Sequence, residues 1–194
     1  MKALVYTGPQ RLALADVPAP TAANDLALVD VAAVGICGSD VHAYLGHDER
    51  RPPPLVLGHE AAGIARTGAF AGRRVTVNPL VTCERCAECR SGRHNLCPDR
   101  QILSMPPRPG AFAETLAVPD RNLVPVPDAV PLAKAALAEP LACGWHAVRR
   151  AERALERPLA AATCVVLGGG AIGLGAALVL RAWGAPSLTI VETN

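Results

Sequence analysis

CERCAECRSGRHNLC, residues 83–97, is the stretch on which the reading of this chain turns. Its four cysteines, Cys83, Cys86, Cys89 and Cys97, follow the spacing C-x2-C-x2-C-x7-C on a turn-rich segment. Four soft thiolates so close in sequence can close around one Zn²⁺ as a tetrahedral all-thiolate site. Residues 79–99 hold Thr, Ser, Asn, Pro and several charges but few large apolar side chains. They cannot build a core of their own, so a metal is the expected organiser. A disulfide pair or unrelated surface thiols would be the plainer alternative, and the paired C-x-x-C spacing weighs against it. With every position taken by a protein ligand, such a zinc is structural, out of reach of water or substrate.

A second metal site can be assembled from pieces further apart. Gly35-Ile36-Cys37-Gly38-Ser39-Asp40-Val41-His42 follows a strand-like run, residues 26–34. Gly58-His59-Glu60-Ala61-Ala62-Gly63 follows the apolar run 55–57, and Glu139-Pro140-Leu141 opens a helical segment. Cys, His and a carboxylate drawn from separate elements are what an open, catalytic zinc requires: three protein ligands and one exchangeable place. Taken singly they carry little, since a lone Cys commonly packs as a small hydrophobe. The set, beside a four-thiolate lobe, carries the inference.

Residues 159–180 contain no charge and are long enough to cross a bilayer, with Gly169 and Gly173 in a G-x-x-x-G spacing. Residues 163–167 are nevertheless strand-like, and Gly168-Gly169-Gly170 would interrupt a helix, so strand, glycine turn and helix over 171–183 is the more economical reading. It is not a membrane anchor. Gly168-Gly169-Gly170-Ala171-Ile172-Gly173 then fits G-x-G-x-x-G in its proper context. Gly168 permits the tight turn and Gly170 lets a pyrophosphate approach the N-terminal N–H groups of the helix. Gly173 allows close helix–strand packing. The next strand, 187–191, ends at Glu192, which can accept both ribose hydroxyls of NAD and would repel a 2′-phosphate. NAD is favoured over NADP, against the plainer reading of Glu192 as a solvated strand end.

In this order, G-I-C-G-S-D-x-H, G-H-E-x-x-G, the four-cysteine lobe, E-P-L and G-x-G-x-x-G, the chain resembles the zinc-containing medium-chain dehydrogenases. Within them it resembles the polyol branch of sorbitol, L-idonate and threonine dehydrogenases. The resemblance implies a mainly β, GroES-like barrel domain with a structural zinc lobe, followed by the beginning of an α/β Rossmann domain. It implies two zincs per chain, one structural and one catalytic, and NAD as cofactor. The catalytic zinc would be held by Cys37, His59 and a carboxylate, either Glu60 or Glu139, and would bind the hydroxyl of a polyol or sugar acid. Ser39 would take the hydroxyl proton and pass it through the nicotinamide ribose to His42, with Asp40 holding the ring of His59. Glu139, where other branches place a cysteine, suits an oxygen-rich diol. Ala43 departs from the aromatic residue that sorbitol dehydrogenases often carry after this histidine, which argues against sorbitol itself.

Composition agrees with these expectations. Of 194 residues 51% are apolar but only 3% aromatic, so Ala, Val and Leu must fill the core. A net charge of +2 with scattered Arg excludes a nucleic-acid surface. Seven cysteines, five of them assigned to metal, leave Cys143 and Cys164 as packing residues, a usage that fits a reducing cytoplasm. The N-terminus lacks a signal peptide's apolar stretch and cleavage site. Strands are expected at 2–6, 12–16, 26–35, 61–67, 74–77 and 111–118, an extended link at 124–131, and helices at 132–138 and 141–155. The expected organisation is a zinc-binding domain over 1–130, a helical connection over 131–158, and the start of a Rossmann domain over 159–194. Because the chain stops after the second strand of that domain, 159–194 is expected to be poorly packed or paired with another chain. Three functions follow: a homo-oligomeric dehydrogenase when full length, a catalytically incompetent zinc-binding fragment, or a module completed by a partner chain.

Overall fold

The computed structural model describes residues 1–22 and 25–193 and divides them into two compact units, Met1–Leu137 and Ala138–Asn194. In the first unit β1 (Lys2–Gly8) pairs antiparallel with β2 (Arg11–Asp16) and, on its other side, with β4 (Leu55–Val56). The principal sheet is built on β3 (Leu26–Gly35), flanked by β5 (Glu60–Ala65) and β9 (Thr115–Pro119). It continues through β6 (Arg74–Val77) to β10 (Leu123–Pro125), in the order β10-β6-β5-β3-β9. Alternation along β3 sends Ala27 and Val29 inward, against Ala61, Ala65, Val75, Val77, Leu116 and Val118. The core is thus made of small aliphatic side chains, as an aromatic-poor sequence requires. A bulge between Val31 and Ala33 shifts the β3–β5 register and sets Gly35 opposite Glu60. An unbroken ladder would have set it opposite His59, so one extra residue decides which side chain meets the strand end.

The expected strand over 111–118 is shorter than its sequence suggests. Ala111, Phe112 and Glu114 donate their N–H groups to Gly58, Leu57 and Lys2 rather than to one neighbouring strand, and regular pairing begins only at Thr115. The extended link expected at 124–131 overlaps the pairing strand β10, which begins at Leu123. Short α1 (Gly38–Tyr44) follows β3, and its Ala43 is buried with Tyr6, Leu55 and Leu57, against Phe112. The departure at Ala43 therefore lies in the packing beneath α1. Two-residue strands β7 (Leu80–Val81) and β8 (Gln101–Ile102) pair across the neck of the cysteine segment, which carries α2 (Ala87–Arg90). A short helix, α3 (Leu132–Ala135), packs Ala135 and Ala136 against Ala62.

The second unit begins with α4 (Ala138–Ala154), which absorbs most of the segment expected as a connection. Pro140 sits in its first turn, where no backbone donor is needed. Parallel strands β11 (Thr163–Leu167) and β12 (Ser187–Val191) flank α5 (Ala171–Ala182) in sequence. Val148, Leu159, Ala162 and Leu180 form a core against Cys164, Val166 and Leu188. The packing expectation is therefore met on one side only. Val165, Leu167, Ile190 and Val191 are exposed, Leu167 at 80%. Among the described residues no helix is long and apolar enough to cross a membrane.

Candidate metal centres and nucleotide turn

Cys83, Cys86, Cys89 and Cys97 converge: one ligand atom from each lies within 4.8 Å of the others. Cys83 and Cys97 approach to 3.6 Å between sulfurs, and Cys86, at the N-cap of α2, accepts the N–H of Cys89 at 3.4 Å. The N–H of Arg85, with that of Cys86, draws the Cys83 thiol down to about 7. Burial, reinforced by neighbouring Cys86 and Cys97, pushes Cys89 up to about 12. Sulfurs this crowded resist joint ionisation unless a cation sits among them, and N–H groups directed at sulfur are suited to thiolates. The donor set fits a closed zinc site.

Cys37, His59 and Glu60 form a second group within 4.8 Å. Sulfur, nitrogen and oxygen donors from three separate side chains so close together are the set an open zinc site uses. Cys37 caps α1, while His59 and Glu60 lie where the chain enters β5. Asp40 joins the two segments: Oδ2 accepts the N–H of Cys37 at 3.0 Å, and Oδ1 accepts that of Gly58 at 3.0 Å. His59 Nδ1 faces Oδ1 at 3.7 Å. Burial pushes the Asp40 carboxyl up, but the facing His59 and the two N–H groups outweigh it and hold it below its ordinary value. Gly35 is part of the same arrangement, because a Cβ there would overlap Oε2 of Glu60. Nothing in the sequence pattern assigned Gly35 that role; only its pairing with Glu60 across the ladder shows it.

Ser39 and His42 open onto a shared depression with His47, Asp48, Glu49 and Arg50. Glu139 lies in the first turn of α4, in the second unit. Gly168, with φ +96°, turns the chain out of β11, and Gly170 caps α5 with open space where a side chain would stand. Gly173 lies against the Gly168 carbonyl, with no room for a Cβ, and Ala171 and Ile172 begin α5. The Glu192 carboxylate accepts the N–H of Gly169 at 2.6 Å, above the same turn.

A half-barrel bearing a four-thiolate lobe and an inner Cys/His/carboxylate group, followed in sequence by strand, glycine turn, helix and strand, is the architecture of zinc-containing medium-chain dehydrogenases. The chain belongs to that family: residues 23–128 match the alcohol dehydrogenase GroES-like domain. It is 37% identical to sorbitol dehydrogenase of Bacillus subtilis, over 99% of this chain and 56% of the relative. It is 38% identical to L-galactonate-5-dehydrogenase of Escherichia coli K12, over 100% of this chain and 56% of the relative. In three dimensions it is similar to the rspB alcohol dehydrogenase of Escherichia coli CFT073 complexed with NADH, at a TM-score of 0.91 and 30% identity. That match covers 100% of this chain and 57% of the other. The chain spans about half the length of the curated relatives it matches.

Proposed function

We propose that this chain carries the metal-binding part of an oxidoreductase that moves a hydride from a secondary alcohol of a polyol or sugar acid to NAD. The convergence of Cys37, His59 and Glu60 within 4.8 Å is the observation that carries this reading. These three residues are the ligands of a catalytic zinc, and Cys83, Cys86, Cys89 and Cys97 those of a structural one. Zinc at the first site supplies Lewis acidity toward an alcohol oxygen, and a nicotinamide ring supplies the hydride acceptor. Asp40 orients the His59 ring by holding Nδ1–H toward its carboxylate, which leaves the Nε2 lone pair to the metal. Ser39 accepts the hydroxyl proton as it gives up its own toward His42, on the same depression, and so to solvent. Glu139 is the alternative carboxylate ligand. At the other end, Gly168, Gly170, Ala171, Ile172 and Gly173 hold the pyrophosphate at the start of α5, and Glu192 takes the ribose hydroxyls. Dehydrogenases of sorbitol and L-galactonate among the relatives support the substrate class.

A second reading, in which the 194-residue chain holds both metals without turning over, is favoured by the exposed face of β11 and β12. Calorimetric titration of the zinc-loaded chain with NAD⁺, and with NADP⁺ as control, separates the two. Saturable one-site binding of NAD⁺ alone is expected from the first reading, together with two zincs per chain. No nucleotide binding with two zincs retained selects the second. A single zinc per chain refutes the catalytic site.

A further inference from the structure

Arg51 opens the Pro-rich stretch Arg51-Pro52-Pro53-Pro54, yet it is only 3% exposed. A buried guanidinium persists only when paired and hydrogen-bonded. Its Nε donates to the carbonyl oxygen of Ser104 at 2.8 Å, and its Nη1 pairs with Asp48, which also accepts Arg50 Nε at 2.8 Å. Ser104 is fully buried and holds φ +67°, a left-handed conformation rare for a residue with a side chain. Such a conformation survives when its surroundings over-determine it. Here the Arg51 clamp fixes the carbonyl, while Ser104 Oγ donates to Asp40 Oδ1 at 3.3 Å. A continuous path therefore runs from half-buried Asp48 through buried Arg51 and Ser104 to Asp40, and so to the ring of His59. Ser104 also lies two residues beyond β8, and the N–H of neighbouring Leu103 donates to Pro79 at 3.1 Å. Ser104 is thereby anchored beside the neck of the four-cysteine lobe.

We infer that Ser104, clamped by Arg51, is a positioning residue for the Cys37–His59–Glu60 metal centre. Its hydroxyl is the third donor on Asp40, after the N–H groups of Gly58 and Cys37, and it arrives from a different segment. Those two N–H groups belong to the ligand-bearing segments themselves and move with them. Ser104 ties the carboxylate to an independent point, so that Asp40 presents a fixed acceptor to His59 Nδ1. The role rests on the metal reading of the centre proposed above.

The test is chelator competition on the full chain, resolving the first and second zinc equivalents, with Co²⁺ absorption as a direct view of the three-ligand site. Ser104→Ala removes the hydroxyl. Ser104→Gly removes it and also relieves the left-handed backbone, so the second variant folds even if the first does not. Both are expected to weaken the three-ligand site by about 10-fold and to shift its Co²⁺ band. That is the lower end of the roughly 10- to 100-fold effect of losing the partner directly behind a ligand, because Ser104 acts through Asp40. The four-thiolate site should stay at parental affinity. Arg51→Lys, which keeps charge but loses the fork, should fall between the parent and Ser104→Ala. A purely structural role predicts altered melting in Ser104→Ala with metal affinity unchanged in Ser104→Gly. Affinity of both Ser104 variants within twofold of the parent overturns the inference. Binding of a single equivalent by the parent overturns the metal centre itself, a result distinct from any difference among variants.

Discussion

Gly35→Ala is the sharpest perturbation the structure offers. Gly35 ends β3 opposite Glu60, and its φ lies outside the left-handed region, so alanine suits the backbone there. The obstacle is the neighbour. A Cβ at this position would overlap Glu60 Oε2 and stand 3.1 Å from both Cβ and Cδ of that residue, against about 3.5–4.0 Å for an ordinary contact. Glu60 is only 5% exposed, so its carboxylate must turn within a packed site and leave the group it forms with Cys37 and His59. Losing a partner behind a metal ligand weakens binding by about 10–100-fold. Displacing a ligand should exceed that, with a loss of 100-fold or more, or about 2.7 kcal/mol. The fold itself should change little. Overpacking costs about 1–3 kcal/mol, and the stiffer unfolded chain returns about 0.4–1 kcal/mol. The assay is chelator competition for the second zinc equivalent, alongside thermal melting followed by circular dichroism. Parental zinc affinity in a folded Gly35→Ala protein would refute Glu60 as a ligand and leave the carboxylate role to Glu139.

Three further outcomes are expected. At Gly173 a Cβ would overlap the Gly168 carbonyl and stand 3.0 Å from its carbon, so Gly173→Ala must open the turn; it should destabilise the second unit by about 1–3 kcal/mol and abolish NAD⁺ binding, and an unchanged melt would exclude the close packing. Hydrogen bonding from Arg50, opposed by burial and aided by the charge of Arg51, holds the Asp48 carboxyl at about 2. Its stabilising contribution is therefore complete above about pH 4 and lost as pH falls toward 2, so urea midpoints should drop across that window in the parent and less steeply in Asp48→Asn; equal slopes would dissociate Asp48 from acid stability. Cys97→Ser, at a fully buried member of the four-cysteine group, should remove one zinc per chain and open residues 83–97 to protease, which mass spectrometry of limited digests would show; intact lobe peptides with the zinc lost would mean the metal does not organise the segment.

The parts of this molecule legible in its sequence are those encoded over short stretches of chain. Two-residue links keep Cys83, Cys86 and Cys89 near one another, while the longer link to Cys97 is returned to Cys83 by the turn at Gly92 and the helical turn at His94–Leu96. β11 and β12 coincide with the apolar runs 163–167 and 187–191, since a glycine turn and a helix leave such runs little freedom of register. The two-residue strands β4, β7 and β8 gave no such signal, because periodicity needs more than two residues to show itself. Relations between distant segments were decided by tertiary structure. A single bulge in β3 determines that Gly35 meets Glu60 rather than His59, and no count of residues along the chain contains that register. Burial turned Arg51 from a loop charge into a clamp, made Ser104 a donor to Asp40, and placed Ala43 in the core. A sequence can name the donors a metal centre needs; the ladder, the bulge and the buried charge decide where those donors stand and what holds them there.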